Sequence, residues 1–577
     1  MNPFVRRRSI RHTDRTLARA VFALVLAVYT ATFCGVPDTP GGEIAFQTSS
    51  ALARHGSLAI GGTPEAEILI AHAQDDSSAT LLREGIGEGT FASSGIGHAV
   101  TGVPFYWVGR ILALVRPSIQ ELHESRSYWG APRSEYFEHL VAGWRNALFT
   151  ALTCWLLVLS ARRLGLERRH AWLGGVTYGI ATFAWSQARS TLPDVQATLL
   201  VFLAFHLILQ VRERYDRLDT PHRRTLAGIG LALGCALLTR VSLLPICIVL
   251  LAAAETVVGS GSRRIAASRW SPKGPLGTGR MRALAFLLVP FIACMGLHLA
   301  LDQWRFGVFF VGDEVLGAGF LDHPMPTGVA GLLVAPGKGL LWMAPALLLL
   351  PWGIAAARAR GETLWLLVTT GVFMGVLLPA ATSASWHGAW TYGPRFLLPA
   401  LPFLWLGVTF ALKAVEERRH LRVLAVGLFC LGVLVQIPAA LVDHATHEDL
   451  AQQAARLAWP TAEGRDEDAA EAERFDRIQW DWGFAAPWAH WRILRHRLAP
   501  FDDPDRRERF PVREIFHVDA EAVITPTLGR DIEFRHLAWV DQVRRLDMSV
   551  WPPALIVSML LLVGTVLSFR GLDRSAP

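Results

Sequence analysis

The chain has 577 residues, of which 52% are hydrophobic and only 18% charged, and its formal net charge is +7. A soluble chain of this length carries about 25% charged residues, so the composition excludes an ordinary water-soluble enzyme. The surplus of positive charge does not indicate nucleic acid, because the basic residues collect in short connectors between apolar runs.

The basic leader MNPFVRRRSIRHTDR runs into an apolar stretch at 18–36. That stretch is long for a cleaved signal peptide and many others follow, so it reads as an uncleaved first span with its N-terminus inside. Further spans are expected at 145–161, 171–188, 195–212, 226–240, 241–258, 283–301, 340–357, 363–381, 396–412, 422–442 and 550–569, about twelve in all. Backbone in lipid must satisfy its own hydrogen bonds, so these runs of Leu, Ala and Val are helices. The fold class expected is an all-α polytopic membrane protein. Its six cysteines, at 34, 154, 235, 247, 294 and 430, lie in or beside apolar runs and point to neither a disulfide framework nor a CxxC metal site.

The connectors ARRLGLERRH (161–170), RERYDRLDTPHRR (212–224), GSRRIAASRWSPKGPLGTGRMR (261–282), RARGE (358–362), KAVEERRHLR (413–422) and RGLDR (570–574) are all basic. They share one side with the N-terminus only if segment 98–116 does not cross. That segment then reads as an interfacial helix, with Tyr106 and Trp107 at headgroup level and Arg110 snorkelling. Both termini are cytoplasmic in this scheme, and residues 37–143 and 443–548 lie outside. The chain divides into a membrane domain (1–442) with its first outer loop, an outer region (443–548), and a last span with its tail (549–577). The outer region combines the acidic EGRDEDAAEAE with IQWDWGFAAPWAHWRIL. That aromatic content marks a small folded unit leaning on the membrane, not a disordered tail.

Residues suited to chemistry gather at the outer ends of spans. Asp38 and Glu43 stand in GVPDTPGGEIAFQTSSALARHGSL, straight after the first span. They serve either as caps of the helix that follows or as a general base at the bilayer surface. Arg240 in LLTRVSLLP parts two apolar runs and needs a partner at that depth, which a phosphate or a snorkelling turn would supply. Lys338, between two glycines in VAPGKGLLWMAP, resembles a weak phosphate cradle, with no Walker spacing. SASWHGAWTYGPRFLLPALPF sets Trp386, His387, Trp390 and Tyr392 ahead of a Gly-Pro-Arg step, which aims Arg395 at the membrane surface. An aromatic belt alone would explain the tryptophans. Asp194 opens another outer helix start, where an acid is ordinary. GDEVLGAGFLDHP adds Asp313, Glu314, Asp322 and His323. His444 and His447 stand at helical spacing beside acids, but the paired-histidine signature of zinc enzymes is missing and a solvated helix start explains them. No metal ligand and no cofactor is assigned, and a divalent metal stays open.

Several segments taken in order resemble a family: the acidic loop running into ALARHGSLAI, then GTFASSGIGHAVTGVPFYWVGRIL, RNALFTALTCWLLVLSARRLGL, GIATFAWSQARSTLPDVQATLL, LALGCALLTRVSLLP, VAPGKGLLWMAP and YGPRFLLPALPFLWLG. Together they are similar to membrane glycosyltransferases of the GT-C superfamily, in the style of protein O-mannosyltransferases and lipid A aminoarabinose transferases. The resemblance covers roughly residues 15–445. It implies a GT-C-like helical bundle in a bacterial inner membrane with a large first outer loop. It further implies a polyprenyl-phosphate sugar as donor and a protein or glycolipid as acceptor. The family's acid in the first outer loop maps onto Asp38 or Glu43, with Glu43 favoured as base and Asp38 in support. The basic residues holding the donor phosphate map onto Arg395, Lys338 and Arg240, and Trp386, His387, Trp390, Tyr392 and Asp194 would line the substrate. Relatives often carry adjacent acids ahead of an aromatic residue, whereas GGEIAF has one acid behind two glycines. Two other classes fit the same sequence. One is a transporter or flippase of a lipid-linked glycan, with Arg240 and His298 along its path. The other is an inert scaffold of the same fold.

Overall fold

Apolar runs with no internal alternation fold as helices throughout the chain. The protein is described by a computed structural model over residues 12–35, 39–75, 81–87, 89–124, 127–128, 131–132, 135–217, 222–268, 276–317, 319–462, 464–499, 509–527, 537, 539–540, 549 and 551–573. Asp38 lies outside the described residues. Helix α1 (His12–Ala31) leads to the long first loop, the one expected to lie outside. This loop holds α2 (Pro40–His55), β1 (Ala59–Ile60), α3 (Pro64–Asp75), β2 (Leu82–Glu84), β3 (Thr90–Ala92), α4 (Gly97–Val115), α5 (Pro117–Glu124), β4 (Ser127–Tyr128) and β5 (Ala131–Pro132). The first three strands form an antiparallel sheet in the order β1-β3-β2, with Phe91 facing Ala59 on one side and Arg83 on the other.

The body continues through α6 (Tyr136–Arg163), α7 (Arg168–Ile180), α8 (Ala184–Gln187), α9 (Asp194–Asp216), α10 (Arg223–Thr239), α11 (Leu244–Ser268) and α12 (Leu276–Phe306). After it come α13 (Met325–Val334), α14 (Leu340–Met343), α15 (Leu350–Ala359), α16 (Thr363–Thr382), α17 (Leu401–Glu417) and α18 (Arg419–Leu441). The outer region contributes α19 (His444–Ala458), α20 (Glu467–Trp480), α21 (Ala486–Leu498), β6 (Phe510–Pro511), α22 (Val512–Phe516) and β7 (Val523–Ile524), which pairs with β6. The last helix is α23 (Trp551–Asp573).

Among the described residues, nine helical segments are long and apolar enough to cross a bilayer, and α4 is one of them. The expected spans at 18–36, 171–188, 226–240 and 340–357 correspond to α1, α7 with α8, α10, and α14 with α15, which fall outside that group. Two of these are broken helices: α7 stops at Ile180 before α8, and Ala344-Pro345 parts α14 from the turn leading into α15. Outward-facing apolar side chains belt the body, among them Val289 and Ile292 on α12, Val423 and Val426 on α18, and Ile556 and Met559 on α23. Contiguous apolar surface of that kind is covered by lipid in a multi-pass membrane protein.

Helices α1 and α6 run antiparallel. Asp14 accepts from Arg162 Nε at 2.9 Å near one end, and Trp144 Nε1 donates to Thr30 Oγ1 at 3.0 Å toward the other. The chain therefore leaves α1 and enters α6 at the same end, so α4, between them, makes no net crossing. Its first residues meet α6 at Arg145, through a hydrogen bond to the His98 carbonyl, and Gly109 packs on Glu138 near the start of α6. The basic connectors gather at the opposite end, where Arg163 pairs with Glu213, Arg212 with Glu362 at 2.9 Å, and Arg169 with Glu416 at 2.7 Å. The outer region sits at the loop end: Trp539 donates to the Ala31 carbonyl, and α23 returns past Trp172 at Ser568. It has its own core, built from residues such as Leu450, Ile478, Phe484, Ile493 and Phe516.

If the basic end is cytoplasmic, single cysteines placed at His55 and Arg465, both exposed, will react with a membrane-impermeant maleimide added to intact cells. Labelling of either site only after permeabilisation would invert or break this topology.

Candidate functional site

The site begins with a helix start. Thr39 caps α2, its Oγ1 accepting from Gly42 N at 3.1 Å, and Pro40 occupies the first turn, where a missing N–H costs nothing. A Cβ at Gly42 would collide with Thr191, so glycine there lets the tip of α2 sit against the segment ahead of α9. A Cβ at Gly95 would likewise strike the Leu238 carbonyl, and the loop before α4 closes on the end of α10 for that reason.

These approaches border a cavity at the loop end. Gly41, Ile44, Ala45 and Thr48 line it from one face of α2, with Ser93 to Ile96 and His98 beside them. Arg240, Arg305, Asp313, Glu314 and Arg395 form the charged wall. Behind that wall lies Asp194, the first residue of α9, with no exposed surface. Its Oδ1 accepts from Arg240 Nη1, and its Oδ2 faces Arg395 Nη1 at 3.4 Å. Both guanidinium groups also lie over the ring of Phe396, at 5.0 and 4.7 Å from its centroid. Arg395 opens the 3-10 turn (Arg395–Ala400) that feeds α17, and its Nε donates to the Gly388 carbonyl at 2.9 Å.

Asp313 accepts from Ser242 N at 3.1 Å and Ser242 Oγ at 2.6 Å, and Arg240 Nε lies 3.6 Å away. Burial works against its charge, but Arg240 and the Ser242 hydrogen bonds outweigh it and hold the carboxyl below the usual aspartate range. Glu314, the least buried of these acids, pairs with Arg395 Nη2. The wall thus sets Arg240 and Arg395 against three carboxylates. Among the three, Glu314 has the most exposed side chain.

Of the three cations expected to share a phosphate, the structure joins Arg240 and Arg395 and sets Lys338 apart. Lys338 has no exposed surface; its Nζ donates to the carbonyls of Ala389 (2.9 Å) and Thr391 and lies 3.7 Å from Glu448 Oε1. Burial lowers its pKa to about 8 against the pull of Glu448. A fully buried ammonium takes whatever acceptors surround it, and here they belong to the 389–391 loop and α19. The aromatic residues expected along the substrate do not line the arginine cavity either. Trp386 is buried and donates to Asp476 Oδ1 at 2.7 Å, and the Tyr392 hydroxyl donates to the Val435 carbonyl at 2.8 Å. His387 packs against Phe475 at 4.5 Å between ring centroids, and burial lowers its pKa to about 3. Trp390 is half-buried in the same loop.

Glu43 is on the far face of α2. The lining residues recur at i, i+3, i+4 and i+7 from Gly41, whereas Glu43, Gln47, Ser50 and Arg54 form the opposite row. Glu43 Oε1 accepts from Gln47 Nε2 at 2.7 Å and lies 3.0 Å from His139 Nε2. His139 Nδ1 is 2.6 Å from the Glu135 carbonyl, so that nitrogen carries its proton outward. The contact between Nε2 and the carboxylate then needs a second proton, shared by the pair. Farther along the row, Glu135 accepts from Tyr106 (2.6 Å) and Ser50 (2.9 Å).

Sequence reasoning overlooked Arg145 and His98. Arg145, inside an apolar run, is buried; its guanidinium donates to the His98 carbonyl at 2.8 Å and meets His98 Nε2. His98 Nδ1 faces Gln196 Oε1 at 3.0 Å. A charge inside an apolar run is itself a signal, and it was legible in GWRNALF.

A family model described as dolichyl-phosphate-mannose-protein mannosyltransferase matches residues 129–294. Among solved structures the chain is similar to ArnT from Cupriavidus metallidurans, in the apo state (TM-score 0.41) and bound to undecaprenyl phosphate (TM-score 0.40). Both share 13% identity with it, over 96% of this chain and 76% of that one. It is also similar to the oligosaccharyltransferase of Archaeoglobus fulgidus tethered with an acceptor peptide, at 11% identity over 89% of this chain and 60% of that chain, with a TM-score of 0.36. No curated protein sequence matches it. The stretch 129–294 thus resembles a family of protein mannosyltransferases, in keeping with the resemblance its motifs led one to expect.

Removing the carboxylate under the two arginines leaves two buried cations short of a partner. Asp194→Ala is expected to cost about 3–5 kcal/mol of stability, read as a lowered unfolding midpoint in detergent. Glu314→Ala, at the wetter edge, is expected to cost less.

Proposed function

We propose that this protein is a glycosyltransferase of the bacterial inner membrane, with both termini cytoplasmic, that moves a sugar from a polyprenyl-phosphate carrier to a protein or glycolipid acceptor. The observation that carries this reading is the pair Arg240 and Arg395, braced by Asp194 and sharing one Phe396 ring at the wall of a cavity at the loop end. The family match supports it, because residues 129–294 include both Asp194 and Arg240. The chemistry is consistent with the layout. An acceptor hydroxyl attacks the anomeric carbon, the bond from that carbon to the phosphate oxygen breaks, and the phosphate leaves with the electron pair. Two guanidinium groups suit the growing negative charge, and a carboxylate takes the hydroxyl proton. The prenyl tail stays in lipid, which requires the site to lie at the bilayer lip.

In this proposal the phosphate displaces Glu314 from Arg395 while Asp194 keeps both arginines in place. We take Asp38 as the base and Glu43 in support. The Glu43 carboxylate lies against His139, on the side of α2 opposite the cavity-lining residues, and this supports exchanging the two roles favoured from sequence. Asp38 directly precedes the Thr39 cap of the helix whose other face lines the cavity. Lys338 serves the docking of the outer region and does not hold the donor.

A donor screen with purified protein and several polyprenyl-phosphate sugars, followed by product identification, tests the reaction class. Arg395→Ala is expected to weaken donor use more than Arg395→Lys, since an ammonium replaces only part of a guanidinium contact. Asp38→Asn is expected to slow transfer about 10²–10⁴-fold with donor binding retained. Normal turnover in Asp38→Asn together with an inactive Glu43→Gln would return the base to Glu43. Normal turnover in both, with Arg395→Ala also unaffected, would remove the enzyme reading.

A further inference from the structure

Beyond the arginine cavity, three histidines from two helices of the outer region converge in a buried cluster. His444 and His447 lie on α19 and His490 on α21, all with almost no exposed surface. One ring nitrogen from each lies within 4.8 Å of the other two. His444 Nδ1 and His490 Nε2 are 3.2 Å apart. Two nitrogens on one tetrahedral zinc, each bonded at 2.0–2.1 Å, are about 3.3 Å apart.

The proton arrangement points the same way. His447 Nε2 lies 3.0 Å from the Phe484 carbonyl, which can only accept, so this nitrogen bears the proton. Its Nδ1 is then a buried lone pair with no hydrogen-bond partner. His444 Nε2 lies 3.1 Å from Glu448 Oε1, within ion-pair distance, and its Nδ1 faces His490 Nε2. His447 thus has one nitrogen tied to a carbonyl and the other left unpaired beside two further imidazoles, and an outer hydrogen bond of that kind is how proteins orient a histidine ligand to a metal. Three neutral rings have no proton to spare for the His447 lone pair, whereas a cation satisfies all three at once.

We propose that His444, His447 and His490 bind one divalent cation of the zinc class. Imidazole nitrogens favour zinc, cobalt or nickel over the oxygen-seeking magnesium and calcium. Glu448 balances charge from beside His444 and also reaches Lys338 at 3.7 Å, so the ion joins α19 to α21 where the outer region meets the membrane body. His444 also lines a neighbouring cavity with Asp443, Tyr392, Arg189 and Cys34, which offers a place for a fourth ligand from solvent. Asp443 Oδ2 is engaged in capping α19 through Thr446 N and Oγ1.

The test uses the full-length purified protein, stripped with a chelator, loaded with zinc and dialysed against micromolar free zinc. Metal analysis is expected to find about one equivalent per chain. Cobalt loaded in its place is expected to give the visible absorption of a tetrahedral site, a readout on the wild-type protein that needs no variant. His447→Ala and His490→Ala are expected to lose the equivalent and the cobalt spectrum, whereas the exposed His517→Ala keeps both. Zinc is also expected to raise the unfolding midpoint of the wild-type protein and not of the two ligand variants. Wild-type protein holding no stoichiometric metal, or ligand variants that keep metal and spectrum, would overturn the proposal.

Discussion

The arrangement of the loop end depends on one buried carboxylate. Asp194 has no exposed surface and faces two guanidinium groups from segments 46 and 201 residues further along the chain. Away from water neither arginine can be left without a partner, so the end of α10 and the start of the α17 segment are held to the first turn of α9. Phe396 adds a ring between the cations, and Ser242 with Asp313 closes the outer side. The cavity exists because these groups fix its wall. The same pairing sets the charges of the wall against one another.

Both ends of the bundle hold buried ion pairs. At the basic end Arg169 with Glu416 is exposed, whereas Arg162 with Asp14 and Arg163 with Glu213 are largely buried. An exposed pair contributes about 0–1 kcal/mol, and the sign distribution of the basic connectors matters for orientation in the membrane. At the loop end the charged groups are buried and joined in networks, where losing one member exposes the rest to the full cost of desolvation. The outer region docks through one such network, in which Lys338 bridges the 389–391 carbonyls and Glu448.

Helix α2 shows how one amphipathic segment serves two purposes. Its small residues, Gly41, Ala45 and Thr48, shape the cavity, while the opposite row binds α6 through Glu43, His139, Ser50 and Glu135. The shared proton between Glu43 and His139 is an internal anchor, and Phe46 stacks on the same imidazole at 3.6 Å. A carboxylate held this way keeps α2 in register and the helix tip at the cavity.

Much of the architecture was legible from the chain itself. Apolar runs near twenty residues had to become helices, because lipid offers the backbone no partners. Basic connectors had to gather at one end, and segment 98–116 could not count as a net crossing without breaking that pattern. Arg240 and Arg395 stood out as charges at span ends in the sequence, as did the acids of the first outer loop. What only the tertiary structure decided was pairing. Whether Lys338 joined the arginines, which face of α2 carried Glu43, and that His490 would meet His444 and His447 all turn on contacts between distant segments. Hydropathy and periodicity report each residue's neighbours along the chain and so define elements. The partner of a buried charge or an imidazole lone pair is set by how those elements pack against one another, and no local pattern records it.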